Sequence, residues 1–330
     1  MSNDKNMSIT DIADALGVSK TTVSRAISGK GRVGETTKRK ILDYIDACGY
    51  SIPIGQIQGR TYNIGFVFPM DTSISETLFY HRCMLGIAKV GARRKIDVLA
   101  VPVADNDMTP YKRIMQNHKV DAVVLGRTLE KDPAIEFLQE CSVPFVAIGS
   151  SYYDNVIQVD NNHIAACSEL IGVLAMKGIK SFALFGGDSS HIVNRTRLEG
   201  YKKGHVQNSL ECREDMIFMN ADSHMVVDDA LDKVITAGIE CIICMDDGIC
   251  ATTLDYLDKR GMSVPKDIRV ASLYSGTLID DRQPGITSLH YDSEELGREA
   301  CRLLMDMLDG KNVPMRSLLG YEVLLKGSTY

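Results

Sequence analysis

Residues 8–50 read SITDIADALGVSKTTVSRAISGKGRVGETTKRKILDYIDACGY, and three helical patterns follow one another within them. The first ends at Gly17, because glycine adopts the left-handed backbone that closes a helix. Ser19 can then cap a second helix over Lys20–Ser28, and a third pattern covers Glu35–Ala47. Two short helices joined by a glycine-containing turn and braced by a third predict an all-α helix-turn-helix headpiece.

The second helix leaves a short, polar and partly cationic face outward once Val23 and Ile27 are taken as its apolar anchors. Hydroxyls and guanidinium groups on such a face can reach phosphates and base edges in the major groove of DNA. A solvated helix face is the alternative for these residues alone, but the complete three-helix pattern favours DNA binding. The outward residues are Lys20, Thr21, Thr22, Ser24 and Arg25.

This segment resembles the DNA-binding headpiece of the lactose/galactose repressor (LacI/GalR) family. The resemblance lies in D-I-A-x-x-x-G-V-S-x-x-T-V-S-R, which begins at Asp11, and in the closing C-G-Y-x-x-P. It implies that Lys20 and Thr21 select the operator sequence. It also implies that the helix is held to phosphates and neighbouring bases by Ser19, Thr22, Ser24 and Arg25.

The charge of the chain is unevenly distributed. The whole chain carries a formal net charge of −6, whereas residues 1–62 hold nine Lys and Arg against six Asp and Glu, a net of +3 that leaves −9 for the remainder. This balance argues against a protein that coats nucleic acid generally. It predicts a DNA contact confined to one end, with an affinity that depends on salt.

Composition and apolar runs predict a soluble cytoplasmic protein. The hydrophobic fraction of 45% and the charged fraction of 24% are those of globular proteins, and no apolar run reaches the length of a membrane helix. The polar N-terminus, M-S-N-D-K-N-M, has no secretory apolar core. We therefore expect no membrane partner.

The nine cysteines are expected to be reduced thiols in that compartment. Cys241 and Cys244 form a C-x-x-C motif inside an apolar run that indicates a buried strand, where residues three apart face opposite sides and are poorly placed to share a metal. The histidines are scattered, and no dinucleotide-binding or Walker glycine motif occurs. The sequence therefore predicts no metal, no cofactor and no catalytic site.

Residues 51–61 form the predicted linker, since Pro53, Gly55 and Gly59 interrupt regular structure. The family resemblance implies a hinge helix here that orders on DNA and inserts an apolar side chain, here Ile57, into the minor groove. The segment is shorter than is usual in the family, and its glycines weaken a helix. A plain linker and a truncated hinge both remain open.

From residue 62 the pattern changes to alternating strands and helices in two successive runs, which predict two doubly wound parallel sheets. Motifs such as V-D-A-V-V-L-G-R, V-D-N-N and R-L-E-G-Y resemble the effector domain of the same family, a relative of periplasmic sugar-binding proteins. The headpiece is therefore assigned to residues 1–50 and the effector domain to 62–330. The resemblance divides that domain into an N-subdomain, 62–161 and 292–320, and a C-subdomain, 162–291 and 321–330.

The candidate effector site lies beyond the carboxyl ends of the strands, where two facing sheets form a cleft. An arginine, carboxylates and aromatic rings suit a polyhydroxylated ligand. Asp160 and Asp247 could instead cap the helices that follow them, and Arg197 could form a salt bridge between subdomains. The predicted effector-binding residues are Phe79, Tyr80, Asp160, Arg197, Asp247 and Tyr274.

Tyr274 departs from the family pattern. The resemblance leads us to expect G-F-D-D after the strand that ends near residue 273, whereas this chain has Leu273, Tyr274 and Ser275. A phenol thus stands where a carboxylate would hold a ligand hydroxyl. This difference favours an effector that is modified, larger or less polar than a simple sugar.

These patterns predict a ligand-responsive transcriptional repressor of carbohydrate-related genes. A homodimer, or a higher oligomer, would bind a near-palindromic operator, and a sugar or sugar derivative would close the cleft. A solute-binding receptor, a sugar-modifying enzyme with an accessory DNA-binding domain and an activator of the same architecture are the alternatives.

Overall fold

The computed structural model describes residues 9–28, 33–47, 63–70, 74–104, 107–117, 119–221 and 224–330. Ile57 and the predicted hinge at 51–61 lie outside the described residues.

Three helices form the headpiece, as the sequence predicts: α1 (Ile9–Leu16), α2 (Lys20–Ser28) and α3 (Glu35–Ala47). Gly17 separates the first two with a φ of 63°. One small core holds the helices together, and its buried members are Ile12, Ala13, Val23, Ala26, Ile41 and Ile45.

The effector domain contains two six-stranded sheets, each flanked by helices. The elements of its first half are β1 (Asn63–Pro69), α4 (Ile74–Ala92), β2 (Asp97–Val103), α5 (Thr109–Gln116), β3 (Ala122–Leu125), α6 (Pro133–Glu140), β4 (Phe145–Ile148) and β5 (Ile157–Asn161). Those of the second half are α7 (His163–Met176), β6 (Phe182–Phe185), α8 (Ile192–Gln207), β7 (Ile217–Phe218), α9 (His224–Thr236), β8 (Cys241–Cys244), α10 (Asp247–Lys259), β9 (Arg269–Ser272), β10 (Thr287–His290), α11 (Ser293–Leu308), β11 (Arg316–Leu319) and β12 (Glu322–Leu324).

The strand orders define two lobes. The N-lobe sheet runs β11-β5-β4-β3-β1-β2 and is entirely parallel, whereas the C-lobe sheet runs β12-β10-β9-β8-β6-β7 with only β12 antiparallel. The chain therefore passes between lobes three times: after β5, between β10 and α11, and between β11 and β12. The fold class of two doubly wound sheets behind a helical headpiece is as predicted.

Helices α4 and α11 approach each other closely in the N-lobe. A Cβ on Gly86 would lie 2.0 Å from the Glu294 carbonyl oxygen, and one on Gly297 would lie 2.0 Å from that of Cys83. Reciprocal glycines thus permit backbone contact between the two helices.

The structure adds two strands that the sequence pattern did not indicate. In β10, Thr287 and Ser288 are polar residues and so do not suggest a buried strand in the sequence. Both are buried in the structure, where the Thr287 hydroxyl lies 2.6 Å from that of Thr329. In β11 the side chains alternate between exposed and half-buried positions at a sheet edge. For these reasons neither strand contains the continuous apolar run by which buried parallel strands are recognised in a sequence.

The apolar pattern of the sequence predicts a helix that begins at Leu78. In the structure α4 begins four residues earlier, at Ile74. Glu76 and Thr77 in its first turn are exposed, so that turn carries no apolar periodicity. The difference matters because Glu76 enters the cleft described below.

The prediction of buried thiols is confirmed for Cys241 and Cys244, both of which are fully buried in β8. Within the described ranges, no cluster of three or more His, Cys, Asp or Glu side chains is arranged to hold a metal ion. Across the same part of the chain, no helix is both long and apolar enough to span a membrane.

Candidate functional site

The outer face of α2 is the first candidate site. Ser19, Lys20, Thr21 and Arg25 are exposed, whereas Thr22 and Ser24 are half-buried. The face therefore carries hydroxyls and two cations, and α2 contains no carboxylate.

Ser19 organises the first turn of this helix. Its Oγ accepts a hydrogen bond from the Thr22 amide at 3.0 Å and lies 2.8 Å from the Thr22 hydroxyl. The N-terminus of α2 is thus capped by one of the residues predicted to contact DNA.

The second candidate site is the cleft between the lobes, which encloses about 970 Å³ including the open solvent at its mouth. A cleft between two lobes is a common place for a small-molecule site. All six predicted effector-binding residues line it: Phe79, Tyr80, Asp160, Arg197, Asp247 and Tyr274.

Asp160 lies at the end of β5 and is held by three neighbours. Its Oδ2 accepts from the Ser150 hydroxyl at 2.7 Å, its Oδ1 accepts from the Asn161 amide at 2.8 Å, and His163 Nε2 lies 3.3 Å from Oδ1. The capping alternative is wrong for this residue, because Asn162 caps α7 by accepting from the Ala165 amide.

Burial and the contact between the two side chains act in opposite directions on the pKa of Asp160 and on that of His163. Burial alone would raise the pKa of Asp160, but His163 and the hydrogen bonds outweigh it, so this pKa lies below its usual value. Burial lowers the pKa of His163, and Arg197 adds to that effect against the opposing pull of Asp160. The carboxylate is therefore kept ionised as an acceptor.

Arg197 projects from α8 and is 8% exposed. Its Nη1 donates to the Met245 carbonyl at 2.8 Å, and its guanidinium carbon lies 6.0 Å from the centre of the Tyr274 ring. Among the described residues no carboxylate forms an ion pair with it, contrary to the salt-bridge alternative.

Two adjacent aspartates follow β8 and divide their functions. Asp246 caps α10, since its Oδ1 accepts from the Ile249 amide at 2.7 Å. Asp247 is buried, and its Oδ2 accepts from the Leu278 amide at 3.3 Å. The residue that caps α10 is therefore Asp246 and not Asp247, contrary to the capping alternative for Asp247.

Burial raises the pKa of Asp246 to about 6, with added repulsion from Asp247 and Glu76 against the favourable Ile249 amide and Arg197. The cleft thus contains one carboxyl group that changes charge close to neutral pH.

Aromatic rings form one wall that spans both lobes. Phe79 of α4 meets Tyr274 edge-on at 6.5 Å, and Tyr274 lies nearly parallel to Tyr291 at 6.4 Å. Tyr291 in turn contacts the His163 ring at 4.8 Å. The wall therefore runs from an apolar end at Phe79 to a polar end at His163.

Sequence reasoning missed Tyr291 and His163. Tyr291 directly follows β10, so an assignment of that strand would have placed it at a strand end. His163 opens α7 three residues after Asp160, a spacing that brings the two side chains together at the start of a helix.

Around the cleft, four buried polar atoms have no hydrogen-bond partner among the residues that the structure describes: Asn161 Oδ1, His163 Nδ1, Arg197 Nε and the Tyr291 hydroxyl. Buried polar groups are rarely left unpaired, because each costs roughly 1–3 kcal/mol. The arrangement can donate to and accept from a ligand that carries several hydroxyls.

The comparisons with known proteins address both candidate sites. Residues 8–52 match the model for bacterial regulatory proteins of the lacI family, and residues 171–329 match a periplasmic binding protein-like domain. The chain therefore carries a DNA-binding domain of the lacI family of bacterial regulatory proteins, followed by a periplasmic binding protein-like domain. A chain that combines these two domains is a DNA-binding transcriptional regulator.

Relatives of similar length support this assignment. Catabolite control protein A of Staphylococcus xylosus is 26% identical over 332 residues, which cover 98% of this chain and 99% of the relative. Catabolite control protein A of Streptococcus mutans is 24% identical over 337 residues, which cover the whole of both chains at 100%.

Solved structures share the fold of this chain. The complex of the transcriptional regulator CelR with cellobiose has a TM-score of 0.74 and 24% identity, and the match covers 98% of this chain and 99% of CelR. The transcription regulator CcpA of Lactococcus lactis has a TM-score of 0.73 and 20% identity, over 82% of this chain and 100% of CcpA.

Proposed function

We propose that the chain is a cytoplasmic repressor of carbohydrate-related genes, in which α2 binds operator DNA and the cleft binds a sugar or sugar derivative. The observation that carries this proposal is the set of four unpaired buried polar atoms beside the aromatic wall. Such a site requires hydroxyl partners on one side and flat apolar contact on the other.

For the effector, we assign hydroxyl binding to Asp160, Arg197 and Asp247, together with His163 and Tyr291. Carboxylates accept from sugar hydroxyls, the guanidinium donates in a plane, and Phe79 and Tyr274 cover the C–H face of a ring. The CelR complex with cellobiose is a fold neighbour with a sugar bound, which agrees with this assignment.

For the operator, we assign base selection to Lys20 and Thr21 and anchoring to Ser19, Thr22, Ser24 and Arg25. Exposed hydroxyls and cations at the start of a helix are suited to the major groove. The proposed minor-groove contact of Ile57 stays a prediction.

We further propose a homodimer built on the N-lobe. Helix α4 and the edge strand β2 expose the large apolar side chains of Leu78, Leu85 and Leu99, and Met70 after β1 is 59% exposed. Exposed apolar side chains grouped on packed elements favour a protein interface. A two-fold axis there would present two headpieces to two half-sites.

Effector binding would be coupled to DNA by closure of the lobes. Three chain crossings connect the lobes, so closure rotates one sheet against the other and shifts the N-lobe interface. A coupling of about 1–3 kcal/mol would change operator affinity roughly 5- to 150-fold.

The test is a thermal-shift screen with cellobiose, maltose, aryl glucosides and sugar phosphates, followed by operator titration with each compound that stabilises the protein. A stabilising sugar that changes operator affinity supports the proposal. Stabilisation without any change in operator affinity would leave a sugar-binding protein without the proposed control.

A cleft of this kind could also belong to an enzyme that acts on sugars. We propose instead that this cleft binds its ligand without turnover. Similar proteins are named as a catabolite control protein and as transcription regulators. Chromatography of cellobiose after long incubation with the protein would reveal any glucose released, and such release would overturn this point.

A further inference from the structure

Two loops from opposite lobes touch on the side of the cleft away from the chain crossings. The N-lobe loop follows β3, and the C-lobe loop runs from β6 into α8. Leu129 and His191 form an isolated antiparallel bridge, and the Glu130 amide donates to the Ser190 carbonyl at 3.2 Å.

A two-pronged ion pair reinforces this backbone contact. Arg195 donates through Nη1 and Nη2 to the two carboxylate oxygens of Glu130, each at 2.7 Å. Arg127 Nη1 also lies 3.5 Å from His191 Nε2. A two-pronged geometry is the arrangement in which an exposed ion pair contributes most.

The N-lobe loop is fixed to its own lobe. The Thr128 hydroxyl donates to the Ser150 carbonyl at 2.6 Å, and the Leu129 amide donates to Asp132 Oδ2 at 3.1 Å. Asp132 is itself the cap of α6.

The C-lobe loop is fixed in the same way. Asp188 accepts from the Ser190 amide at 2.7 Å, and its carbonyl accepts from the Asn194 side chain at 2.8 Å. Arg195 Nε donates to the Ser189 carbonyl at 2.7 Å, so the side chain is aimed before it meets Glu130. Two preformed surfaces therefore meet through few contacts, which suits reversible docking.

These loops lie several strands away from the chain crossings, so a contact between them limits how far the lobes can separate. Strand β3 lies two strands from β5, and β6 lies three strands from β10, where the chain passes between lobes. Arg195 also precedes the cleft residue Arg197 by two positions on α8. Separation of the loops would therefore open the cleft and withdraw Arg197 from the N-lobe.

We propose that the Glu130–Arg195 contact is a clasp that ties the two lobes together before any ligand binds and so limits how far they separate. The proposal deepens the proposed function, since it concerns the cleft assigned to the effector. It requires neither a ligand nor DNA for its test, so its failure is distinguishable from failure of that function.

The experiment measures the distance between lobes by double electron–electron resonance in the full-length protein without ligand. Spin labels are placed on the exposed Cys141 of the N-lobe and on Val206→Cys, where the native side chain is 78% exposed, with Cys48 and Cys212 replaced by serine. Labelled protein is diluted with unlabelled protein so that distances within one subunit dominate.

Glu130→Arg should broaden the distance distribution and shift it to longer values, because two guanidinium groups then face each other. The exchanged pair Glu130→Arg with Arg195→Glu should restore the original distribution. Asp215→Asn, which breaks a surface ion pair within the C-lobe, is the matched control and should change nothing. A Glu130→Arg distribution identical to that of the parent, or no restoration in the exchanged pair, would overturn the clasp.

Discussion

We expect effector recognition to depend most on Arg197, because it is buried, lacks an ionic partner among the described residues and keeps Nε unpaired. We expect Arg197→Ala to weaken effector binding about 10- to 150-fold, since hydrogen bonds to a charged group contribute roughly 1.5–3 kcal/mol. Calorimetric titration with a sugar identified by thermal shift measures this loss.

Arg213→Ala is the control for that variant, because Arg213 is a C-lobe arginine paired with Asp215 on the surface. Its effector affinity should equal that of the wild type. Equal affinity of Arg197→Ala and wild type would remove Arg197 from the site.

Asp246 should give the protein a pH-dependent stability of defined sign. Its pKa of about 6 in the folded state lies above the unfolded value of 3.8, so the folded state binds more protons between these values. Stability should therefore fall as pH rises through this window, by up to about 3 kcal/mol, and stay low above it.

Asp246→Asn tests this linkage because asparagine retains the helix cap and cannot ionise. Urea unfolding at a series of pH values should show that the variant gains stability relative to wild type as pH rises from about 4 to about 6. A stability difference that does not vary with pH would contradict the raised pKa.

The sequence identified part of the cleft at this scale. Asp247 and Tyr274 were predicted because each follows a strand, Arg197 was predicted from the family resemblance, and all three line the cleft. Tyr291 and His163 were not, since one follows an unassigned strand and the other is identifiable only from its pairing with Asp160 in space.

At the scale of elements, we expect Ser19 to link the stability of α2 to DNA binding, because it caps this helix and is a predicted DNA contact. Ser19→Ala should cost about 1 kcal/mol of headpiece stability by removing the cap. Ser19→Asp should keep the cap but place a negative charge beside the phosphates, so operator affinity should fall while thermal stability is retained.

Fluorescence anisotropy with an operator duplex and circular dichroism melting of both variants separate these effects. Operator binding by Ser19→Asp at the wild-type affinity would remove Ser19 from the DNA interface.

The packing of α4 on α11 depends on reciprocal glycines. Gly297→Ala should destabilise the N-lobe by about 1–3 kcal/mol, because the new methyl group would collide with the Cys83 carbonyl. Gly320→Ala is the matched control, since no heavy atom lies within 4 Å of its added Cβ. Urea unfolding should therefore distinguish the two variants, and equal stability would contradict the close approach.

Strands and helices with strong apolar patterns were predictable: the sequence predicts a strand over Asn63–Pro69 and a helix over Ser293–Leu308, which are the bounds of β1 and α11. Strand β10 was not, because its buried Thr287 hydroxyl finds its partners at Lys326 and Thr329, far along the chain. Local patterns cannot show partners of that kind.

At the scale of the whole molecule, the two sites should be separable. Arg25→Ala should abolish operator binding yet keep the thermal stabilisation given by the effector. The reason is that Arg25 lies in α2 of the headpiece and does not line the cleft. Loss of both activities in this variant would argue against independent modules.

The most direct test is the operator affinity of wild type and Arg197→Ala, measured by fluorescence anisotropy at fixed salt across a titration of the stabilising sugar. The account predicts that wild-type affinity changes about 5- to 150-fold and that the Arg197→Ala affinity stays constant over the same range. A wild-type affinity that is unchanged while the sugar demonstrably saturates the protein would contradict it.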